Sequence, residues 1–76
     1  MSVSQAPPSK QRNEALARAR FNAGLTQKQL AAAAGVSERT IQHLEAGQHP
    51  EPTTAKAVSE VLGVAIRDVF TFEAAA

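Results

Sequence analysis

The chain has 76 residues, no cysteine, and a hydrophobic fraction of 43% of which much is alanine. This length allows one small domain, and the lack of cysteine excludes disulfides and thiolate metal sites. The formal net charge is only +1, but the charges are unevenly distributed. Residues 1–44 carry six basic and two acidic side chains, and residues 45–76 carry two basic and five acidic ones. Such an asymmetry is expected if one side of the protein binds a polyanion.

The first 23 residues predict an arm followed by a helix. Residues 1–8 contain a Pro pair and little to bury, so we expect a disordered arm. Ser9 is a good N-cap for a first helix that runs to about Ala23, and Gly24 then ends it in the left-handed conformation. Lys10 and Arg12 lie at the inner edge of the arm, which is either a solvated tail or a segment that touches phosphates.

The next two helices have clear start and stop signals. Thr26 and Gln29 have the spacing of a capping box, which predicts a second helix that Gly35 closes. Ser37 is the predicted N-cap of a third helix, which runs to about Ala46. The short turn between these helices, with its glycine, matches helix-turn-helix geometry.

Two further helices are predicted after a loop that contains two prolines. The fourth spans Thr53 to Leu62, with Thr53 or Glu51 as its cap, and the fifth is a short helix over 64–70 with a poor cap at Ala65. Residues 71–76 are expected to form a loose tail, in which Phe72 either folds back onto the core or contacts a second copy. The prediction is an all-α domain over 9–70 with five short helices.

The polar residues of the third helix could contact bases in a DNA groove. The guanidinium of Arg39 can pair with O6 and N7 of guanine, and the amide of Gln42 or Gln27 can pair with adenine. Glu38 could accept from cytosine N4, or it could orient Arg39 or cap its own helix. His43, one turn beyond Arg39, is either a base contact or a solvated residue.

The segment from Leu16 to Phe70 resembles the Cro/C1-type (XRE-like) helix-turn-helix family, which includes small phage repressors and many bacterial regulators. The positions that carry this resemblance are Arg20, Gly24-Leu25-Thr26-Gln27, Leu30-Ala31, Gly35-Val36-Ser37, Ile41, Leu44-Glu45, Gly47 and Leu62-Gly63-Val64. The resemblance implies a lambda-repressor-like DNA-binding domain in which the second and third helices form the helix-turn-helix.

The resemblance also implies a role for each matched position. Base contacts are expected from Glu38, Arg39, Thr40, Gln42 and His43. Phosphate contacts are expected from Thr26, Gln27, Lys28 and Ser37, with Lys10 and Arg12 added from the arm, and Gln27 is also expected to buttress the recognition helix. Arg20 and Glu45 match a structural ion pair. The implied partner is double-stranded DNA, as a pseudo-palindromic operator bound by a homodimer, with no cofactor, metal or small-molecule ligand.

Other function classes fit the residues less well. No apolar run approaches the roughly 18 residues of a membrane span, and the N-terminus lacks the apolar region of a secretory signal, so we expect a cytoplasmic protein. No nucleophile with a nearby base, Gly-rich phosphate loop or facing carboxylate pair indicates an enzyme. A protein-interaction module on the same fold, such as an antitoxin or an antagonist of another regulator, is the alternative, because residues 48–52 contain no lysine or arginine and the C-terminal half is acidic.

Overall fold

A computed structural model describes residues 12–70 of the chain. Helices and connecting turns make up this range, without a strand. The helices are α1 (Glu14–Asn22), α2 (Gln27–Ala34), α3 (Glu38–Glu45), α4 (Pro52–Leu62) and α5 (Ile66–Val69). The all-α class with five short helices is confirmed for the described part of the chain, and the predicted arm (1–8) and tail (71–76) lie outside it.

The first helix begins later than the sequence predicts. The prediction that it follows Ser9 is wrong, because Asn13 is the N-cap of α1 and its Oδ1 accepts a hydrogen bond of 2.9 Å from the backbone N–H of Leu16. Asparagine is among the best N-cap residues, since its side chain satisfies a free N–H of the first turn. Gly24 follows the helix with a φ of +75°, which is the left-handed conformation predicted for it.

The starts of α2 and α3 agree with the predicted caps. Thr26 Oγ1 accepts from the Gln29 N–H at 3.0 Å, and Gln29 Oε1 accepts from the Thr26 N–H at 2.9 Å, which completes the capping box. Ser37 Oγ accepts from the Thr40 N–H at 3.1 Å. Between the two helices, Gly35 has a φ of +78° and ends α2.

The fourth helix begins one residue before the predicted Thr53. Pro52 occupies its first turn. Residues of the first turn donate no intrahelical hydrogen bond, so the missing N–H of proline costs none there. Glu51 is the residue in the cap position, but its side chain makes no capping hydrogen bond. The helix thus begins with a proline and without the side-chain cap that the sequence predicts.

The fifth helix is shorter than predicted, with four residues in place of the range 64–70. Its cap residue is Ala65, as expected, and alanine has no side-chain acceptor. Instead, the carboxylate of Asp68 accepts from the Ala65 N–H at 3.3 Å and supplies half of a capping box.

One hydrophobic core is shared by all five helices. Its buried members are Leu16, Leu30, Ala31, Ile41, Leu44, Ala55, Val58, Val69 and Phe70. The helix α2 packs against α3 and α4, while α1 packs against α3 and α5. Ala23, where the first helix is predicted to end, lies just beyond α1 and is exposed. Within residues 12–70, no helix has the length and apolar character needed to cross a bilayer.

Candidate nucleic-acid interface

The helix α3 has two sharply different sides. Ile41, Leu44 and Glu45 are buried against the rest of the domain. The exposed positions are Glu38, Arg39, Gln42 and His43. Because these positions have the spacing i, i+1, i+4 and i+5, they lie along one side of the helix and form a continuous polar stripe. We call these four residues the α3 stripe.

The side chains of the α3 stripe have no partners in the part of the protein that the structure describes. Within residues 12–70, none of its four side chains makes a hydrogen bond or an ion pair with another residue. Their donors and acceptors are thus directed to solvent and available to a ligand. The stripe contains one guanidinium, one carboxylate, one amide and one imidazole, which together can donate to and accept from base edges.

Two other predicted contact residues, Ser37 and Thr40, serve the helix itself. The hydroxyl of Ser37 caps α3, and it lies 3.0 Å from the hydroxyl of Thr40. Thr40 is half-buried rather than exposed. These two side chains lie at the start of α3, but Thr40 is not part of the α3 stripe.

The opposite side of α3 is fixed by an ion pair with α1. Arg20 Nε donates to Glu45 Oε2 at 2.5 Å, and Arg20 Nη2 donates to Glu45 Oε1 at 3.3 Å. Arg20 Nη1 also donates to the carbonyl oxygen of Leu25 at 2.9 Å. The side chain of Glu45 is only 7% exposed, so these donors replace most of the water that its carboxylate would otherwise bind.

A second helix holds the same carboxylate. Gln27 Nε2 donates to Glu45 Oε1 at 3.0 Å, which joins the first turn of α2 to the last residue of α3. The family resemblance predicts that Gln27 contacts a phosphate and buttresses α3, but it does not identify Glu45 as the partner. Together, Arg20, Gln27 and Glu45 tie α1, α2 and α3 into one unit and fix the direction of the α3 stripe.

A further link, which the sequence did not reveal, connects the start of α1 to α3 and α5. The backbone N–H of Asn13 donates to the carbonyl oxygen of Glu45 at 2.9 Å. Its side-chain Nδ2 donates to the carbonyl oxygen of Val69 at 2.6 Å. Arg12, the preceding residue, is exposed and lies near Gln42. Lys10, the other basic residue predicted to touch phosphates from the arm, lies outside the described residues.

The first turn of α2 borders an open groove. Thr26 and Lys28 are exposed there, next to Glu38 at the start of α3. The groove also contains Phe21, whose side chain is 78% exposed, a feature that sequence reasoning did not single out. Two of the predicted phosphate contacts thus share a surface with one end of the α3 stripe.

A helix-turn-helix family model matches residues 16–69. This range includes α1 through α5 almost completely, and with them Arg20, Gln27 and Glu45. The chain belongs to the Cro/C1-type helix-turn-helix family. It is a DNA-binding transcription regulator of that type, in a family that is regulatory rather than enzymatic. Among curated proteins, none matches the sequence significantly.

Within this helix-turn-helix, α2 and α3 are the paired helices, and α3 is in the position of the recognition helix. The α3 stripe is therefore the exposed polar side of the helix in that position. Among residues 12–70, no three His, Asp or Glu side chains come together to form a metal site.

Proposed function

We propose that this protein is a sequence-specific transcriptional repressor of the phage or mobile-element type, which acts by occupying its operator. The observation that carries this proposal is the α3 stripe, whose side chains are exposed and have no partner among residues 12–70. A polar stripe on a rigidly supported helix suits the major groove, which admits one helix and displays a distinct donor and acceptor pattern for each base pair.

In this proposal the stripe reads bases through side chains of different chemistry. Arg39 can donate two hydrogen bonds to guanine, and each such contact discriminates by about 1–3 kcal/mol. His43 lies one turn beyond Arg39 on the same side. Glu38, at the start of the helix, either accepts from cytosine or orients Arg39. Gln42 lies on the edge of the stripe beside Gln27 of α2.

The starts of α2 and α3 are the proposed contacts to the DNA backbone. Helix N-termini present free N–H groups and a partial positive charge to phosphates. Thr26 and Lys28 flank the start of α2, and Ser37 caps α3. Because lysine and arginine contacts to phosphate release counterions, we expect affinity to fall steeply as salt increases.

We propose further that the protein binds as a homodimer to a pseudo-palindrome. Two copies of a helix-turn-helix reach successive major grooves when the half-sites are about 34 Å apart. Val69 and Phe70, at the end of α5, are buried in the protein's own core. The dimer surface would then use the half-buried residues of α4 and α5, which include Val61, Leu62 and Ile66.

A protein-interaction module is the second candidate, and the exposed Phe21 favours it. This side chain lies in an open groove that also contains Lys28 and Glu38, so a protein bound there would cover part of the proposed DNA surface. Replacing Arg39 and His43 with alanine separates the two functions. Regulation should be lost if the protein acts by binding DNA, and it should persist if the protein acts through a protein partner.

Selection of bound duplexes from a random pool tests the proposed function. We expect enrichment of one inverted repeat with half-sites one helical turn apart. When this site is placed across a promoter, expression of a reporter gene should fall as the protein is supplied. Recovery of no enriched sequence would count against sequence-specific binding, and increased expression would count against repression.

A further inference from the structure

A shallow cavity lies where the N-terminal segment, α2 and α3 meet. It has a volume of about 220 Å³ and is lined by Arg12, Gln27, Gln42, Glu45 and Ala46. We call it the Arg12 cavity. Three of its side chains carry N–H donors, namely one guanidinium and two amides. The cavity therefore brings together donors from three separate segments of the chain.

The backbone beside Arg12 is held firmly in place. Its neighbour Asn13 donates its backbone N–H to Glu45 and its side-chain amide to Val69, and it accepts from Leu16. The bonds to Glu45 and Val69 join the start of α1 to the end of α3 and to α5, and the bond from Leu16 caps α1. The placement of Arg12 near α3 is thus fixed by the fold.

The charge of the Arg12 cavity suits an anion. The carboxylate of Glu45 is already bound by Arg20 and by Gln27, so its negative charge is compensated. Arg12 makes no ion pair or hydrogen bond through its side chain within residues 12–70, and neither does the side chain of Gln42. What remains is one uncompensated cation with a free amide close by, a combination that matches one phosphodiester group.

We propose that the Arg12 cavity binds one backbone phosphate of the DNA, with Arg12 and Gln42 as the donors. This proposal rests on the proposed function, because Gln42 is also an edge of the α3 stripe. Both donors are exposed and the cavity is open, so a free anion would stay hydrated and bind weakly. A DNA phosphate would bind better, because the other protein–DNA contacts hold it at a high effective concentration beside the cavity. Gln42 then positions the recognition helix and reads no base, contrary to the expectation from the sequence.

The proposal is tested with duplexes in which single phosphates of the bound site are replaced by neutral methylphosphonates. Arg12→Ala should weaken binding about ten-fold, as expected for loss of a charged hydrogen bond. The slope of log K against log salt should fall by about 0.9. At one phosphate only, the losses from Arg12→Ala and from the methylphosphonate should be non-additive, because both remove the same contact. Arg18→Ala, an exposed arginine of α1, is the matched control.

Gln42→Ala provides the second readout. We expect it to lower affinity by a similar factor for the selected site and for each of its single-base variants, since a phosphate contact carries no base information. A loss confined to one base pair would overturn the proposal, as would an Arg12→Ala effect that is additive with every methylphosphonate or equal to that of Arg18→Ala. If the unmodified protein binds duplexes but the Arg12→Ala and Gln42→Ala variants give these contrary results, the cavity assignment is wrong. If it binds no duplex in a salt-dependent way, the proposed function itself is wrong.

Discussion

Glu45 accepts hydrogen bonds from Arg20 at 2.5 and 3.3 Å, although the two residues lie 25 positions apart in the chain. The carboxylate is almost completely buried at the end of the recognition helix, and Gln27 donates to it from α2. The direction in which α3 presents its polar stripe thus depends on a charged group inside the domain. Removing one partner would leave a buried charge without compensation.

Arg20→Ala should destabilise the domain by about 2–3 kcal/mol, because it leaves the Glu45 carboxylate in a buried site with only Gln27 as donor. The side chain of Arg20 is 18% exposed, so water entering the site should keep the loss below that of a fully buried pair. Urea unfolding measures the loss in unfolding free energy, with Arg18→Ala on the same helix as the control. Equal unfolding midpoints for the two variants would refute the structural role. The loss should shrink in a Glu45→Gln background.

Asn13→Ala should destabilise the domain by about 1–2 kcal/mol, since it removes both the cap of α1 and the hydrogen bond to Val69. Asn13→Ser keeps a capping oxygen but cannot reach Val69, so it should recover part of the loss. Asn22→Ala, an exposed asparagine at the other end of α1, is the control. Thermal unfolding distinguishes these variants. Equal melting temperatures for Asn13→Ser and Asn13→Ala would show that the cap contributes little.

Gly35→Ala should destabilise the domain by about 1–2 kcal/mol, because an L-residue with a side chain is strained at a φ of +78°. Among residues 12–70, no heavy atom outside Gly35 and its two chain neighbours lies within 4 Å of the added Cβ, so the cost comes from the backbone and not from a clash. Gly35→Asn should cost less, since asparagine tolerates the left-handed conformation better than alanine. Unfolding free energies measure both, and an equal cost for the two variants would point to a different cause.

The parts of the fold set by local chemistry were predictable from the sequence. Thr26 and Gln29 lie three residues apart and satisfy each other's N–H groups, so their spacing alone predicts the start of α2. The same applies to Ser37 at α3. The start of α1 was not predictable, because Ser9 and Asn13 are both good N-caps. The hydrogen bond from Asn13 to Val69, 56 positions away in the chain, favours Asn13 as the cap.

The candidate site was predictable only in part, because some of its contacts join residues that lie far apart in the chain. The exposed positions of α3 follow from helical periodicity once Ile41 and Leu44 are assigned to the core. The bond from Gln27 to Glu45 does not follow, because no local spacing relates two residues 18 positions apart. Arg12 likewise comes near Gln42 only through the folded backbone at Asn13. The family resemblance supplied Arg20 and Glu45 as a pair, but not the other groups that gather around them.

The most direct test of the account is the affinity and base preference of Arg39→Ala on the selected DNA site. The side chain of Arg39 is exposed and has no partner within residues 12–70, so its loss should leave the unfolding free energy unchanged. Binding should weaken about ten-fold or more, and the preference at one base pair should be lost. Lys56→Ala, an exposed lysine of α4, is the control. If Arg39→Ala binds with the affinity and base preference of Lys56→Ala, the α3 stripe does not read DNA as proposed.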